Sequence, residues 1–276
     1  MRDSLTTKSV FTPANGEISA AFEKEGEMKL DRIIAVRNSK TVYRDGTLCL
    51  KVFGEEYSKA DVLSEALDLA RVEETGLHIP RVREVTVLDG KWTIVTDYIK
   101  GKTLAQLMRE NPDEREKYLQ MFVDLQLEVQ SKSCPLLPML KDKMKRMIAL
   151  TDFDATTRYD LHARLDTMPN HKKLCHGDFN PSNIVIDEAG TPYILDWAHA
   201  TQGNASADAA RTYLLFCLSG DKEMAERYLT LFCEKSGTEP HYVRKWMPIV
   251  AAAQSVKGNA HEREFLAAWV GVANYE

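Results

Sequence analysis

The stretch His176-Gly177-Asp178-Phe179-Asn180-Pro181-Ser182-Asn183-Ile184 decides how the rest of the chain is read. It sets a carboxylate, Asp178, and a carboxamide, Asn183, five residues apart in a polar loop between two short apolar runs, residues 174–176 and 184–187. Those runs have the length and composition of strands. Phosphoryl transfer to an alcohol needs a carboxylate that orients the hydroxyl and takes its proton, and an oxygen ligand that holds magnesium against phosphates. Asp178 and Asn183 are the residue types for those two tasks. Thirteen residues after Asn183, the run Tyr193-Ile194-Leu195 ends in Asp196. A returning hairpin brings this second carboxylate beside the first, where it suits a divalent cation.

Upstream, three strand-like runs, RIIAV, KTVYR and TLCLKVF, are separated by the turn signals Arg37-Asn38-Ser39 and Asp45-Gly46. Lys51 is a lone cation within the otherwise apolar Leu48-Cys49-Leu50-Lys51-Val52-Phe53, and a charge so placed needs a partner. Residues 56–74 turn helical, with Val62, Leu63, Ala66, Leu67, Leu69 and Ala70 at three- and four-residue spacing and Gly76 beyond the end. Glu65, three residues after Val62 and four before Leu69, projects from the buried stripe and is the expected partner of Lys51. Asp61 and Asp68 are expected nearer the solvated side. Two more strands, 83–88 and 92–99, are joined by Asp89-Gly90. Past Lys100-Gly101-Lys102 the pattern reads as helix to Gln130, strands resume at Lys173, and helices follow over 207–270.

Length and composition narrow the classes of function. A chain of 276 residues suits one bilobal unit, and 44% hydrophobic with 28% charged residues is ordinary for a globular protein with a full core. A net charge of -5 argues against nucleic acid or an anionic membrane as the main partner and points to a small ligand. Five widely spaced cysteines without a C-x-x-C pair indicate neither a zinc site nor a disulfide framework. The longest apolar stretch, 265–273, is too short to span a bilayer, so the expected location is cytoplasmic. Nothing sets the oligomeric state.

His176-Gly177-Asp178-x-x-Pro181-x-Asn183 followed by Ile194-Leu195-Asp196-Trp197 resembles the signature of aminoglycoside phosphotransferase and choline kinase-like small-molecule kinases. The resemblance covers nearly the whole chain. It implies an α+β, protein-kinase-like bilobal fold: a small antiparallel-sheet lobe over 29–99, a connector at 100–102 and a mainly helical lobe over 103–276, after an extension at 1–28. It further implies ATP as phosphate donor, with GTP the alternative, Mg2+ as cofactor, and the hydroxyl of a small molecule as acceptor. In that scheme Asp178 is catalytic, Asn183 and Asp196 hold metal, and Lys51 with Glu65 serves the nucleotide phosphates. The backbone of Asp97 and Ile99 meets the adenine edge, with Thr96 lining the pocket behind it. Asn38 and Ser39 form the phosphate-covering turn, which here has no glycine and so departs from the protein-kinase pattern. His176 and Asp208 support the catalytic loop, the plain alternative for Asp208 being a carboxylate at a helix N-terminus.

The acceptor is expected between the catalytic loop and the C-terminal helices, where His199 and Gln202 follow Asp196 closely, the plain alternative for either being a hydrogen bond to the loop backbone, and where Asn204, Tyr242 and Trp246 are near. Glu262, Glu264 and Glu276 are too scattered to read as a polyamine-binding cluster, and Tyr242, Trp246 and Trp269 at helical spacing read as core. Two other readings share the pocket. One is a nucleotide-binding or sensing protein without chemistry. The other is a protein kinase, for which the chain shows no Ala-Pro-Glu segment after Asp196.

Overall fold

The structure, a computed structural model, describes residues 32–37, 39–256 and 259–271. The expected extension 1–28, Asn38 and Glu276 lie outside the described residues. The first lobe is an antiparallel sheet of β1 (Arg32–Arg37), β2 (Lys40–Asp45), β3 (Leu48–Phe53), β4 (Val82–Leu88) and β5 (Lys91–Asp97) in the order β1-β2-β3-β5-β4. Asp89 and Gly90 both take positive φ, 47° and 77°, the geometry of a two-residue hairpin whose twist matches its strands. β3 is central, paired with β2 and β5, and Lys51 stands opposite Ile94.

α1 (Lys59–Glu73) starts at a capping box in which Ser58 accepts from the Asp61 amide and Asp61 accepts from the Ser58 amide. Its inner face puts Val62 and Ala66 against Phe53 and Ile94, a small core that fixes the helix to the Lys51 side of the sheet. Asp68, expected near the solvated side, is instead buried, and its carboxylate takes Arg71 one turn on at 3.2 Å. The second half of α1 also meets the main core, through Val72 and Leu69, whereas Leu63 and Leu67, expected in the apolar stripe, are exposed.

Gly101, expected in the connector, opens β6 (Gly101–Thr103), which pairs with β8 (Ile184–Asp187), itself paired with β9 (Pro192–Ile194). A Cβ at Gly101 would come within 2.1 Å of the Ile186 carbonyl, so glycine is what allows this close approach. The remaining elements are α2 (Leu104–Glu110), α3 (Arg115–Ser131), α4 (Leu140–Ala149), α5 (Ala155–Thr167), β7 (Lys173–Cys175), β10 (Thr201–Gly203), α6 (Ala205–Leu218), α7 (Lys222–Ser236), α8 (Pro240–Ser255) and α9 (Ala260–Gly271). A small antiparallel-sheet region followed by a mainly helical one is the expected fold class. β6 and β10 were not expected: three residues carry no periodicity to read.

α6 is buried on nearly all sides, from Ala207, Ala209 and Ala210 through Leu214 to Cys217. Its small residues let neighbouring elements approach closely, and it forms the axis of the helical lobe. All five cysteines are free thiols, four buried and Cys49 partly so. No helix among the described residues is long and apolar enough to cross a membrane.

Candidate active site

The loop between β7 and β8 is built onto α6. Asp208, in the first turn of α6 and 2% exposed, accepts the Gly177 amide at 2.7 Å and the His176 amide at 3.4 Å. Thr212, one turn further, donates its hydroxyl to the Phe179 carbonyl at 2.9 Å. Gly177 has φ +79°, and a Cβ there would lie 2.7 Å from the His199 carbonyl oxygen. Conformation and space therefore both demand glycine. The fully buried His176 accepts the Asp178 amide on Nδ1 at 3.2 Å. That leaves the proton on Nε2, which donates to the Leu195 carbonyl at 2.9 Å, while the ring rests against Trp197 with centroids 4.6 Å apart.

Asp178 is held from one side. The amide nitrogen of Asn183 donates to the Asp178 carbonyl and to its Oδ2, both at 3.0 Å, and the amide of Asn180 donates to the same two atoms at 3.0 and 3.3 Å. A 3-10 turn, Pro181–Asn183, folds Asn183 back under Asp178, with the Asn180 side chain capping the turn at the Ser182 amide. The other oxygen, Oδ1, has the Arg211 guanidinium at 3.7 Å. Burial pushes the Asp178 carboxyl up; Arg211 and the Asn183 hydrogen bond pull it down, and Asp196 adds to the rise. A carboxylate so placed is suited to receive a proton.

Asp196 follows β9 and is tied to the same loop by the Leu195 amide, which donates to the Asn183 carbonyl at 2.7 Å. Its φ of 60° is left-handed, a conformation Asp tolerates better than most residues. Its Oδ1 lies 2.9 Å from Lys51 Nζ, which also pairs with Glu65 at 2.6 Å. Burial works against the Lys51 ammonium, yet Asp196 and Glu65 together lift its pKa above the ordinary lysine value. Lys40 shares Glu65 at 2.8 Å and sits over the rings of Phe53 and Tyr57. Cations and carboxylates from both lobes thus meet at one place, with oxygen donors of the kind a hard divalent cation takes.

The other expected residues fall as follows. Ser39 gives its carbonyl to the Gly54 amide at 2.7 Å. Thr96 stands opposite Cys49, two residues before Lys51 on the same strand. The Asp97 side chain turns to the β4 side, where Arg83 meets it at 2.6 Å, and Ile99 is half-buried at the crossing between lobes. His199 presses its backbone on Gly177 and takes Lys143 on its carbonyl at 3.2 Å. Gln202, expected near the acceptor, is corrected: it is 6% exposed, and its amide donates to the carbonyls of Pro135 and Leu137, both at 2.7 Å. It pins β10 to the segment before α4 instead. Asn204 caps α6 and donates to the Tyr242 hydroxyl at 2.8 Å, and Trp246 is fully buried in the core. Arg211 was missed as a site residue, although a lone cation in an alanine-rich helix, three residues after Asp208, was a signal of the same kind as Lys51.

A model of the phosphotransferase enzyme family matches residues 32–246, a span that takes in Lys51, Asp178, Asn183 and Asp196. The chain belongs to this family. The phosphotransferase also shares its fold with solved structures. A thermostable mutant of aminoglycoside phosphotransferase APH(4)-Ia superposes with a TM-score of 0.66 at 16% identity, over 92% of this chain and 98% of that one. A choline/ethanolamine kinase family protein from Mesorhizobium loti gives 0.61 at 15% identity, over 94% and 92%. Choline kinase LicA from Streptococcus pneumoniae gives 0.60 at 14%, over 89% and 93%. Curated protein sequences return no match. The recognised family and the expected fold class are therefore those found.

Proposed function

We propose that the protein transfers the terminal phosphoryl group of ATP to a hydroxyl of a small molecule, with Mg2+ as cofactor. The observation that carries this reading is the 2.9 Å contact of Lys51, from the sheet lobe, with Asp196, whose strand is tied to the Asp178 and Asn183 loop. A lysine, a base and two metal-ligating side chains are the parts this transfer needs, since catalysis is mostly positioning and charge stabilisation. A structure of APH(4)-Ia, 17% identical, is of a ternary complex with AMP-PNP and hygromycin B, which supports a nucleotide and a small-molecule acceptor for the same fold.

The Asp178 carboxylate receives the acceptor hydroxyl on Oδ1 and takes its proton as the new oxygen–phosphorus bond forms, while the bond from the γ-phosphorus to the bridging oxygen breaks and ADP leaves with that oxygen. Lys51 pairs with phosphate oxygens of ATP, and Glu65 keeps its ammonium in place. Asn183, whose nitrogen donates to Asp178, and the Asp196 carboxylate would hold the metal through their oxygens. Mg2+ suits a site of one carboxylate and one carboxamide because it retains waters and phosphate oxygens as its other ligands. When bound it supplies positive charge against the phosphates. Asp208, through the amides of His176 and Gly177, holds the loop at its height.

The test is magnesium-dependent transfer from labelled ATP across aminoglycosides, choline, ethanolamine and small sugars, with Asp178→Asn as control. Acceptor-dependent transfer that the control lacks and EDTA abolishes is the expected result. A control retaining most of the wild-type rate would falsify the role of Asp178. Nucleotide binding without transfer to any acceptor would favour a sensing protein.

A further inference from the structure

Arg211 leaves α6 one turn after Asp208 and ends beside the Asp178 oxygen that the carboxamides do not touch. Its distance of 3.7 Å from Oδ1 is beyond hydrogen-bond reach. Its Nε is buried with no hydrogen-bond partner among the described residues, while 16% of the side chain remains accessible. Burial pushes the guanidinium pKa down, and the nearby carboxylates of Asp178, Glu262 and Asp208 oppose this only in part. Asp208 is occupied by two loop amides and Asp178 Oδ2 by two carboxamides. A buried cation with an unpartnered Nε–H therefore stands beside the Asp178 oxygen that is proposed to receive the acceptor hydroxyl. Buried donors of this kind take oxygen acceptors, and the planar guanidinium takes a carboxylate best.

We propose that Arg211 is a specificity-determining residue that selects acceptors carrying a carboxylate close to the hydroxyl to be phosphorylated. The proposal rests on the reading of Asp178 as the residue that receives that hydroxyl. A singly charged carboxylate suits the position better than a phosphate dianion, because Asp178, Asp208 and Glu262 already bring negative charge to it.

The experiment compares matched probes that differ by one carboxylate: serine with ethanolamine, homoserine with 3-aminopropanol, and glycerate with ethylene glycol. Binding of each to the full chain with Mg2+ and AMP-PNP is measured by ligand-observed NMR and calorimetry. In at least one pair the carboxylate should bind about tenfold or more tightly, the advantage expected of a charge-assisted hydrogen bond. Arg211→Gln should bring that ratio close to one, and Arg211→Lys should keep part of it; AMP-PNP titration of each variant reports whether it is folded. Equal binding within every pair by the wild type, no binding of any carboxylate, or a ratio that survives Arg211→Gln would overturn the proposal. The wild-type comparison decides even if Arg211→Gln fails to fold. Because the readout is binding, it is separate from the transfer assay: transfer without any carboxylate preference sinks this proposal alone, whereas carboxylate preference without transfer sinks the phosphotransfer reading and leaves Arg211 only as a carboxylate-binding residue.

Discussion

Lys51 Nζ lies 2.9 Å from Asp196 Oδ1, although 145 residues separate them and they belong to different lobes. In the structure as it stands, the lysine neutralises the carboxylate that is proposed to hold metal. Lys51→Met should therefore lower kcat/KM for ATP by about 100-fold or more, the scale of losing one charged stabilising group. Lys40→Met, which leaves Glu65 its shorter contact with Lys51, should cost less than about fivefold. Steady-state kinetics with varied ATP checks both, and equal losses would contradict the ranking.

Asp178→Asn should lower the turnover rate by about 10²–10⁴, as expected for removing a general base. The same change should not destabilise the protein. Burial raises the folded-state pKa of this carboxyl, so the charged form costs stability at neutral pH, and that cost disappears as pH falls below the ordinary aspartate range. Chemical denaturation in EDTA, without nucleotide, should show Asp178→Asn at least as stable as wild type at pH 7, with the difference closing toward acid.

Asp208→Ala should cost about 3 kcal/mol, since the amides of His176 and Gly177 are left buried with no acceptor. Asp208→Asn keeps one acceptor oxygen and should cost less. Urea titration of the two variants gives the order, and a loss below about 1 kcal/mol for the alanine variant would mean that the loop finds other partners.

Gln202→Ala removes two buried hydrogen bonds to the Pro135 and Leu137 carbonyls. It should destabilise by about 1–3 kcal/mol. The KM for whichever acceptor the transfer assay identifies should hold within about twofold, because this side chain faces the lobe interior. A large rise in KM at unchanged stability would restore Gln202 to the acceptor site.

The sequence was most readable where chemistry and periodicity coincided. Lys51 was visible because a cation in an apolar strand is costly, and Glu65 because its position on the helix repeat pointed at the sheet; the two stand 2.6 Å apart. The strands of the small lobe and α1 were legible from alternation and from the Asp45-Gly46 and Asp89-Gly90 turns. β6 and β10 were not, since three-residue strands are defined by the partner they pair with. Asp68 was misjudged, and Leu63 and Leu67 with it, because helix periodicity assumes one buried face along the whole length, whereas the second half of α1 turns Leu69 and Val72 to the main core. Gln202 was misplaced for a related reason: nearness in sequence to Asp196 says nothing about which way a buried carboxamide points, and the carbonyls that capture it lie more than sixty residues upstream. Arg211 escaped because its significance depends on Asp178 being brought across from another element.

One carboxylate of α6 links two kinds of inheritance. Asp208 is both an interior residue of the most enclosed helix and the clamp on the loop that bears Asp178. Drift in the packing of that helix is transmitted to the loop that carries Asp178, so a change of acceptor is easiest through positions that leave the helix axis where it is. Arg211, which starts from the helix and ends 3.7 Å from Asp178 Oδ1, is proposed as such a position. New acceptors are then reached by changing tips, with the scaffold beneath them held constant.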